Sequence, residues 1–455
     1  MAYRCLRTFY ILLLPLIKTP VRKFILIFYF LILFSIKDYV ISICRALFFA
    51  SFLRVQYLSK PLLPRELIQL HMVFKHGHRS PFRIYNTDPN PRELWPEGLG
   101  QVTQLGRLQL FVLGRHLKQR YKHFITSNPN EIEMQSSDAF RCMNSAYCFL
   151  AGLYPPDEER EFMSNFPWQP IFVNYVPEPD EKYLQSNPNC PKYEACKARV
   201  RQSTEVRHFN NKYREFFEYW HVGADKVIIN FDNAGDLYKT LSVESDSNLT
   251  IPRWALKYWD ELVHMADVSY YYHFMTKQQQ RLRGGPILGL MLERMKDRIQ
   301  GNNNQIKVYG YSGHGSNIAA IQCTLLSYDM KHAPHAAIIV LELYREMRGG
   351  HTVRFLYYNS SHPERQVEDP FVFVLPGCSE FCPVELFEEF LSDIVPEDWD
   401  SECEEDDDKE NDFVPIQQAA YFQEKPWGSS SAGTLMAGFT SSFILLIFTV
   451  FLYMQ

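Results

Sequence analysis

The sequence carries no strong excess of charge of either sign. Its 455 residues have a formal net charge of −5, with 22% charged and 46% hydrophobic residues. Proteins whose main activity is nucleic-acid binding are usually strongly basic, and disordered chains combine low hydrophobicity with high net charge. The composition therefore argues against both classes. We expect a globular protein with no nucleic-acid partner.

Cysteine is also scarce for a chain of this length. The 10 cysteines are too few for a small disulfide-built scaffold and fit a large secreted domain with a few bridges. The chain is instead rich in bulky and turn-forming residues, with 34 Phe, 27 Tyr and 27 Pro. At about 100–200 residues per domain, the length allows two or three domains, or one large α/β domain with an insertion.

The hydrophobic runs near the beginning of the chain are short. Residues 9–17 and 24–36 are uncharged and apolar, but each run is shorter than the ~20 residues that a membrane-spanning helix needs. The second run follows Arg22 and Lys23 and resembles the apolar core of a secretory signal. We therefore interpret 1–64 as a hydrophobic leader, either signal or anchor, with a buried helical hairpin as the alternative.

The end of the chain predicts a tether. The acidic run 402–412 can bury nothing, and we interpret 404–428 as a solvated linker. Residues 429–455 contain small residues, a spacer and an apolar stretch in the order of a GPI-anchor signal, with a single transmembrane span as the near-equal alternative. Two N-glycosylation sequons, at Asn248 and Asn359, fit the same placement. We expect a membrane-tethered protein of the secretory pathway, facing the extracellular or lysosomal side.

The body of the chain, 65–403, alternates strands and helices, which is typical of an α/β domain. Short apolar runs predict strands at 67–74, 133–137, 307–313, 336–344 and 353–358. The spacing of apolar residues predicts helices at 102–121, 141–153 and 253–273. Residues 155–305 are helical, aromatic and loop-rich without clear strands, so we expect an insertion packed over the sheet.

A basic loop after the first predicted strand carries candidate chemistry. His76 offers a nucleophile, Arg79 a planar fork for phosphate oxygens and Lys75 a point charge. Gly77 allows a ligand to approach the backbone closely. A phosphate site is the physical inference. His76 and His78 could alternatively ligate a metal ion, but the neighbouring cations disfavour that interpretation and no third ligand is evident.

Two further segments place polar side chains at predicted strand ends. Arg141 starts a helix, where a guanidinium could bind an anion, although a surface ion pair is its commoner role. His314 lies in a glycine-rich turn, where a histidine is usually structural. Because ligands in open α/β sheets bind at the carboxyl ends of strands, both residues are candidates for the same site.

Together these segments resemble the histidine acid phosphatase family, in the branch of the lysosomal and prostatic acid phosphatases. The basic loop resembles the family's Arg-His-Gly-x-Arg-x-Pro motif, and His314 resembles the histidine of its His-Asp motif. Further segments that look like the family occur in family order at 95–106, 137–146, 283–286, 342–344 and 375–383. The resemblance covers about 67–403. It implies a histidine phosphatase-like α/β sandwich with a largely helical insertion, or cap.

Carried over to this sequence, the resemblance implies a phosphomonoester hydrolase that needs no cofactor and no metal. It makes His76 the nucleophile that forms a phosphohistidine. The phosphoryl oxygens would be held by Arg79, Arg141 and His314, with Lys75 as a further cation. The ligand would be a phosphate monoester or another anion, and a homodimer is expected because dimers are common in the family.

Two positions depart from the family pattern. Lys75 stands for the first arginine of the motif and loses its bidentate fork. Gly315 stands for the aspartate that protonates the leaving oxygen, and loss of a positioned general acid costs typically about 10²–10⁴-fold in rate. We therefore expect either a weakened phosphatase that favours aryl phosphates, or an inactive pseudophosphatase that binds phosphorylated ligands at the cell surface. His78 or a residue of the insertion could supply a replacement donor.

The resemblance also implies two disulfides, Cys190–Cys403 and Cys378–Cys382. The other cysteines of the body are expected to be small buried apolar residues; they are Cys142, Cys148, Cys196 and Cys323. A Cys142–Cys148 or Cys148–Cys196 bridge is the alternative.

Overall fold

The computed structural model describes residues 65–178, 180–302 and 305–404. The predicted leader, 1–64, and the predicted tail, 429–455, lie outside these residues, as does all but the first residue of the predicted linker, 404–428. The signal, the anchor and the tether therefore stay predictions. Among the described residues, no helix has both the length and the apolar character needed to cross a membrane.

An eight-stranded mixed sheet forms the centre of the described chain. Its strands are β1 (Arg65–Lys75), β2 (Ile132–Ser136), β3 (Val173–Tyr175), β4 (Val308–Gly313), β5 (Ile338–Glu346), β6 (His351–Tyr358), β7 (Phe371–Phe373) and β8 (Cys382–Pro383). The strand order is β3-β2-β4-β1-β5-β6-β7, and β8 pairs with β6. Strands β3, β2, β4 and β1 are mutually parallel, whereas β5, β6 and β7 continue the sheet in antiparallel pairs.

Thirteen α-helices accompany this sheet in the part of the chain that the structure describes. They are α1 (Gln104–Arg120), α2 (Phe140–Leu153), α3 (Pro191–Gln202), α4 (Thr204–Lys212), α5 (Arg214–Ala224), α6 (Phe231–Asp246), α7 (Arg253–Lys257), α8 (Trp259–His273), α9 (Lys277–Arg283), α10 (Gly285–Gln300), α11 (Gly315–Thr324), α12 (Val384–Leu391) and α13 (Trp399–Glu404). The predicted α/β class is therefore confirmed. Each of the five predicted strands corresponds to a strand of the sheet.

Strand β1 is buried on both faces, which explains its continuous apolar sequence. Residues 68–74 are all buried. Phe74 packs on one face against Phe149 of α2, with ring centroids 4.5 Å apart. Val73 belongs to the core on the other face, together with residues of α10 and α11. The sheet is thus covered by helices on both sides, and its central strands can hold residues at their ends rigidly.

The predicted insertion, 155–305, differs from the prediction in two respects. Strand β3 lies within it and pairs with β2, so the expectation of no strand there is wrong. The helix predicted at 253–273 is two helices, α7 and α8, because the backbone leaves the helical conformation at Tyr258, with φ −131° and ψ 45°. From α3 onward the insertion is helical and builds its own apolar core, which includes Trp220 and Phe231.

The disulfides Cys190–Cys403 and Cys378–Cys382 are both present. The first joins the start of α3, in the insertion, to α13 near the end of the described chain. Cys142, Cys148, Cys196 and Cys323 form no disulfide. The alternative bridges Cys142–Cys148 and Cys148–Cys196 are therefore wrong, and the three of these cysteines that are fully buried pack as small side chains.

Candidate active site

The candidate site forms where the parallel strands β1, β4 and β2 end side by side. Lys75 at the end of β1 pairs with Gly313 at the end of β4, and the backbone N–H of His76 donates to Gly313 O at 3.0 Å. His76 and His314 therefore follow neighbouring strand ends, and their ring centroids lie 5.7 Å apart. The sheet topology brings together two histidines that are far apart in sequence, at the edge where α/β proteins bind ligands.

His76 is held as a neutral imidazole with one nitrogen available. Its Nδ1 lies 2.9 Å from the carbonyl oxygen of Gly77. A carbonyl oxygen only accepts, so the ring proton is on Nδ1 and the lone pair is on Nε2. Burial, followed by the charges of Arg141 and His314, holds the pKa of His76 well below its usual range. The ring is only 4% exposed, and it remains a neutral potential nucleophile under acidic conditions.

His314 is fixed by partners on both ring nitrogens. Arg141 Nη2 lies 3.2 Å from Nδ1, and Ser137 Oγ lies 2.9 Å from Nε2. A guanidinium only donates, so Nδ1 accepts and the ring N–H is on Nε2. Burial and then Arg141 lower the pKa of His314 well below its usual value. The backbone N–H of His314 also donates to Asn317 Oδ1 at 2.8 Å, which caps α11 and fixes the turn.

Two guanidiniums meet at the mouth of the site on one aromatic ring. The Cζ of Arg79 lies 3.7 Å from the ring centroid of Phe82, and that of Arg141 lies 4.9 Å from it. Arg79 donates to Ser80 O at 2.7 Å, whereas the buried Nε of Arg141 has no hydrogen-bond partner. Within the described residues neither guanidinium forms an ion pair with a carboxylate.

The charge of Arg141 acts on Arg79. Burial and then Arg141 lower the pKa of Arg79 to about 10, and burial lowers the pKa of Arg141. Placing buried like charges together is unfavourable unless an anion binds between them. Two planar forks at one strand-end pocket are well suited to a phosphoryl group.

Lys75 is less well placed for bidentate binding than an arginine would be. Its Nζ donates to Ala333 O at 2.8 Å, which uses one of its three N–H groups. Burial, followed by the charges of Arg79 and Lys239, lowers the pKa of Lys75 to about 7. Lys75 therefore adds a positive charge to the site that is largest at acidic pH.

His78 supports the basic loop instead of facing His76. Its Nδ1 lies 2.8 Å from Thr103 Oγ1 and its Nε2 lies 3.2 Å from Val243 O. The proton on Nε2 is thus donated to a carbonyl oxygen, which leaves His78 poorly placed as the replacement proton donor. In the described part of the chain, no three His, Cys, Asp or Glu side chains are arranged to hold a metal ion.

The space around Gly315 is already occupied. A Cβ at this position would lie 3.0 Å from the hydroxyl oxygen of Tyr270 and 3.5 Å from Cδ of Lys75. Tyr270 belongs to α8 of the insertion. The place where the family carries the first side-chain atoms of its aspartate therefore faces a phenol.

Several residues near the site were not predicted from the sequence. Phe82 carries no motif signal, and Tyr270 lies in a run of three tyrosines of which Tyr271 and Tyr272 are buried. His335, in the loop before β5, has its ring centroid 5.9 Å from that of His76 and 5.3 Å from that of His78. That these residues lie near the site becomes evident only from the way the insertion and the loop before β5 pack onto the strand ends.

The two sequons lie in different surroundings. Asn248 is exposed at the end of α6 with φ +56°, and Thr250 of its sequon is exposed. Asn359 is half-buried at the end of β6, with Ser361 exposed. Glycosylation at both positions stays a prediction, with Asn248 the more accessible acceptor.

Comparison with known proteins places the chain in a family. The model of the histidine phosphatase superfamily, branch 2, matches residues 66–358. The lysosomal acid phosphatase of Xenopus laevis is 34% identical over 350 residues, covering 75% of this chain and 79% of that protein. The prostatic acid phosphatase of Homo sapiens is 32% identical over 363 residues, covering 77% and 92%.

Solved structures agree on the fold. The phytase of Hafnia alvei in complex with myo-inositol hexakis sulphate superposes with a TM-score of 0.57 at 16% identity, over 73% of this chain and 98% of that one. The phytase of Citrobacter braakii superposes with a TM-score of 0.56 at 13% identity, over 74% and 99%. With its two histidines at neighbouring strand ends, this chain belongs to branch 2 of the histidine phosphatase superfamily.

Proposed function

We propose that the protein is a phosphomonoester hydrolase that works through a phosphohistidine on His76. The observation that carries the proposal is a buried neutral imidazole beside two guanidiniums that have no carboxylate partner in the described chain. Acid phosphatases at 32–34% identity support the same reaction class.

The reaction takes place in two displacements. In the first, Nε2 of His76 attacks phosphorus while Arg79 and Arg141 neutralise charge on the phosphoryl oxygens. His314, fixed by Arg141 and Ser137, lies beside the same oxygens. In the second displacement, water attacks the phosphohistidine and releases inorganic phosphate. His76 recovers its lone pair, so the enzyme needs neither a metal nor a cofactor.

Glycine at position 315 makes the leaving group decisive. Without a carboxylic acid there, an alkoxide leaves slowly because it needs a proton, whereas a phenolate leaves readily without one. We expect turnover of aryl phosphates to exceed that of alkyl phosphates. We also expect the neutral state of His76 to persist as the pH falls below 6.5, because its pKa is held well below that value.

The proposed setting is the secretory pathway, with the body facing the extracellular or lysosomal side. The apolar leader, the tail that resembles a membrane anchor and the sequon at the exposed Asn248 support this setting. The names of the lysosomal relatives support it as well. A homodimer is part of the proposal on family resemblance alone.

The second candidate is a pseudophosphatase that binds a phosphorylated or other anionic ligand without turnover. Two observations favour it: Lys75 is bonded to a backbone carbonyl, and Gly315 has no side chain. The guanidinium pair would then serve binding alone. This candidate predicts phosphate binding without a covalent intermediate.

The test is to trap the phosphoenzyme of the full-length chain in detergent. A rapid-quench reaction with ³²P-labelled nitrophenyl phosphate should give an acid-labile, alkali-stable label, and steady-state turnover should match the rate of its decay. His76→Ala should remove both the label and the turnover. His123→Ala, at an exposed position on the surface, is the matched control and should retain both. Phosphate binding without label or turnover in the wild type would establish the pseudophosphatase instead.

A further inference from the structure

We infer that Tyr270 is the proton donor to the leaving oxygen, replacing with a phenol from the insertion the carboxylic acid that the family carries at position 315. The inference rests on the proposed function and names a catalytic residue for it. It is carried by the position of one hydroxyl group relative to Gly315 and to the cations of the site.

The hydroxyl of Tyr270 lies close to Gly315. A Cβ built on Gly315 would lie 3.0 Å from the Tyr270 hydroxyl oxygen and 3.5 Å from its ring carbon Cζ. A separation of 3.0 Å is tighter than an ordinary van der Waals contact, so an aspartate at position 315 requires the phenol to move. The absence of a side chain at position 315 therefore leaves the hydroxyl of Tyr270 where it is without a tight contact.

The hydroxyl of Tyr270 has a proton that it can donate. Tyr270 is half-buried, and its hydroxyl makes no hydrogen bond to any described residue. A phenol is both a donor and an acceptor, and an uncommitted donor beside a phosphoryl site is available to the leaving oxygen. His78 is not available as a donor in this way, because both of its ring nitrogens already form hydrogen bonds.

Two cations lie near the oxygen that becomes negatively charged when the proton leaves. Tyr270 interacts electrostatically with Arg79 and with Lys239, and the Nζ of Lys239 lies 5.3 Å from the centroid of the tyrosine ring. A tyrosinate would thus form near the positive charges of Arg79 and Lys239. Asp236 is bonded to Lys239 at 3.0 Å but is itself 64% exposed, so it offsets only part of this positive charge.

The proton that Tyr270 gives up in the first displacement returns to it in the second. In the first displacement the bond from Nε2 of His76 to phosphorus forms and the bond from phosphorus to the leaving oxygen breaks. The Tyr270 O–H proton passes to that oxygen, leaving an alcohol and a tyrosinate. In the second, the tyrosinate takes a proton from water as the water oxygen bonds to phosphorus. The nitrogen–phosphorus bond breaks, inorganic phosphate leaves, and Tyr270 is protonated again.

Lys75 is the rival donor because its Cδ lies 3.5 Å from the same position. Its ammonium group is bonded to Ala333 O at 2.8 Å, which directs one proton away from the phosphoryl group. If Lys75 were the donor, Lys75→Met would change the dependence of rate on the leaving group and Tyr270→Phe would not.

The experiment measures kcat/KM of the full-length chain for substituted phenyl phosphates and for glycerol phosphate. Tyr270→Phe should lower the rate for glycerol phosphate by about 10²-fold or more while changing nitrophenyl phosphate by less than about threefold. Tyr219→Phe, another half-buried tyrosine of the insertion, is the matched control and should change neither. The phosphate inhibition constant of each variant reports whether the site is still folded.

The double variant with Gly315→Asp and Tyr270→Phe provides the most decisive test. Gly315→Asp alone should improve turnover of glycerol phosphate less than it does in the Tyr270→Phe background, because its Cβ would make a tight contact, 3.0 Å, with the Tyr270 hydroxyl oxygen. Tyr270→Phe removes the hydroxyl oxygen. The nearest atom of residue 270 to a Cβ at position 315 is then the ring carbon Cζ, at 3.5 Å, which is an ordinary van der Waals contact. Gly315→Asp should then restore turnover that Tyr270→Phe alone has lost, by at least about tenfold.

The outcomes separate the two proposals. If Tyr270→Phe lowers aryl and alkyl rates equally, or leaves both unchanged, Tyr270 is not the acid although the phosphohistidine route stands. If the wild type forms no phosphoenzyme even with nitrophenyl phosphate, the proposed function fails and the assignment of Tyr270 fails with it. A wild type active on glycerol phosphate, with loss in Tyr270→Phe and recovery in the double variant, supports both.

Discussion

At the scale of single residues, Phe82 organises the charge of the site. Its ring is 51% exposed and carries the guanidiniums of Arg79 and Arg141 over its surface. Each such contact is worth about 0.5–1 kcal/mol when exposed to solvent. The ring therefore offsets part of the repulsion between two cations and fixes their planes before an anion arrives.

Replacing this ring should weaken anion binding. We expect Phe82→Leu to raise the inhibition constant of inorganic phosphate by up to about 5- to 30-fold, since two cation–π contacts of about 0.5–1 kcal/mol each no longer hold the guanidiniums in place. The measurement is competitive inhibition of nitrophenyl phosphate hydrolysis. Phe172→Leu, at a side chain that is 78% exposed and has no cation over it among the described contacts, is the control. Equal inhibition constants for wild type and Phe82→Leu would show that the ring contributes nothing to anion binding.

The residues of the site divide into those that the sequence could predict and those that it could not. His76 and His314 each lie in a motif directly after an apolar run, and parallel pairing of β1 with β4 brings them together. Tyr270 is one of three consecutive tyrosines on a helix, and its role depends on how the insertion packs over the strand ends. The local sequence pattern does not encode that packing. The sequence therefore shows that Gly315 replaces the family's aspartate, but it does not show that Tyr270 lies beside Gly315.

At the scale of elements, the basic loop is held by a close contact with the start of α1. A Cβ on Gly106 would overlap the carbonyl oxygen of His78, and a Cβ on Gly77 would overlap the backbone of Gly106. Thr103 caps α1 by accepting from Gly106 N and also contacts His78. The position of the loop is thus set by two glycines and a helix cap.

This contact gives a prediction about the helix and the loop together. Gly106→Ala should lower the free energy of unfolding by about 1–3 kcal/mol, because the added methyl group must displace backbone. It should also lower kcat/KM by about 10-fold or more, since displacement of the loop misplaces the reacting groups. Leu108→Ala, at a position 48% exposed on the same helix, is the control. Denaturant unfolding and nitrophenyl phosphate kinetics provide the two measurements, and an unchanged kcat/KM in Gly106→Ala would contradict the role of the contact.

The elements themselves were largely predictable where the apolar pattern is long. Strand β1 has seven consecutive buried residues and α1 has regular helical spacing. Strand β3 has only three residues, of which Val173 alone is buried, so its pattern is too short to be recognised. Its place in the sheet comes from pairing with β2, which is a tertiary property.

At the scale of the whole molecule, the insertion is tied to the rest of the chain at both ends. The Cys190–Cys403 disulfide closes 213 residues of sequence and joins α3 to α13. Near it, Arg281 of α9 forms a bidentate ion pair with Glu402 of α13, with distances of 2.6 and 2.7 Å. These links hold the end of the described chain against the insertion that carries Tyr270.

The stability of the whole fold should depend on pH through one buried carboxyl. Glu244 on α6 is fully buried, and burial together with Asp88 raises its pKa to about 9. Asp88 lies between β1 and α1, so the two carboxyls bring the insertion and this connecting segment together. The ordinary pKa of a glutamate is 4.5. Between these two values the folded protein therefore holds a proton on Glu244 that the unfolded chain has released.

By linkage, this proton makes the folded state less stable as the pH rises from about 4.5 to about 9, by at most about 1.4 kcal/mol per pH unit. Glutamine cannot ionise, so Glu244→Gln should remove this dependence and gain stability relative to wild type between pH 5 and pH 8. Glu215→Gln, at an exposed position on α5, should follow the wild type throughout. Denaturant unfolding at pH 5, 6, 7 and 8 measures the difference. Parallel curves for wild type and Glu244→Gln would show that Glu244 ionises alike in both states, whereas convergence toward low pH would show that the folded protein keeps a proton on Glu244 that the unfolded chain releases.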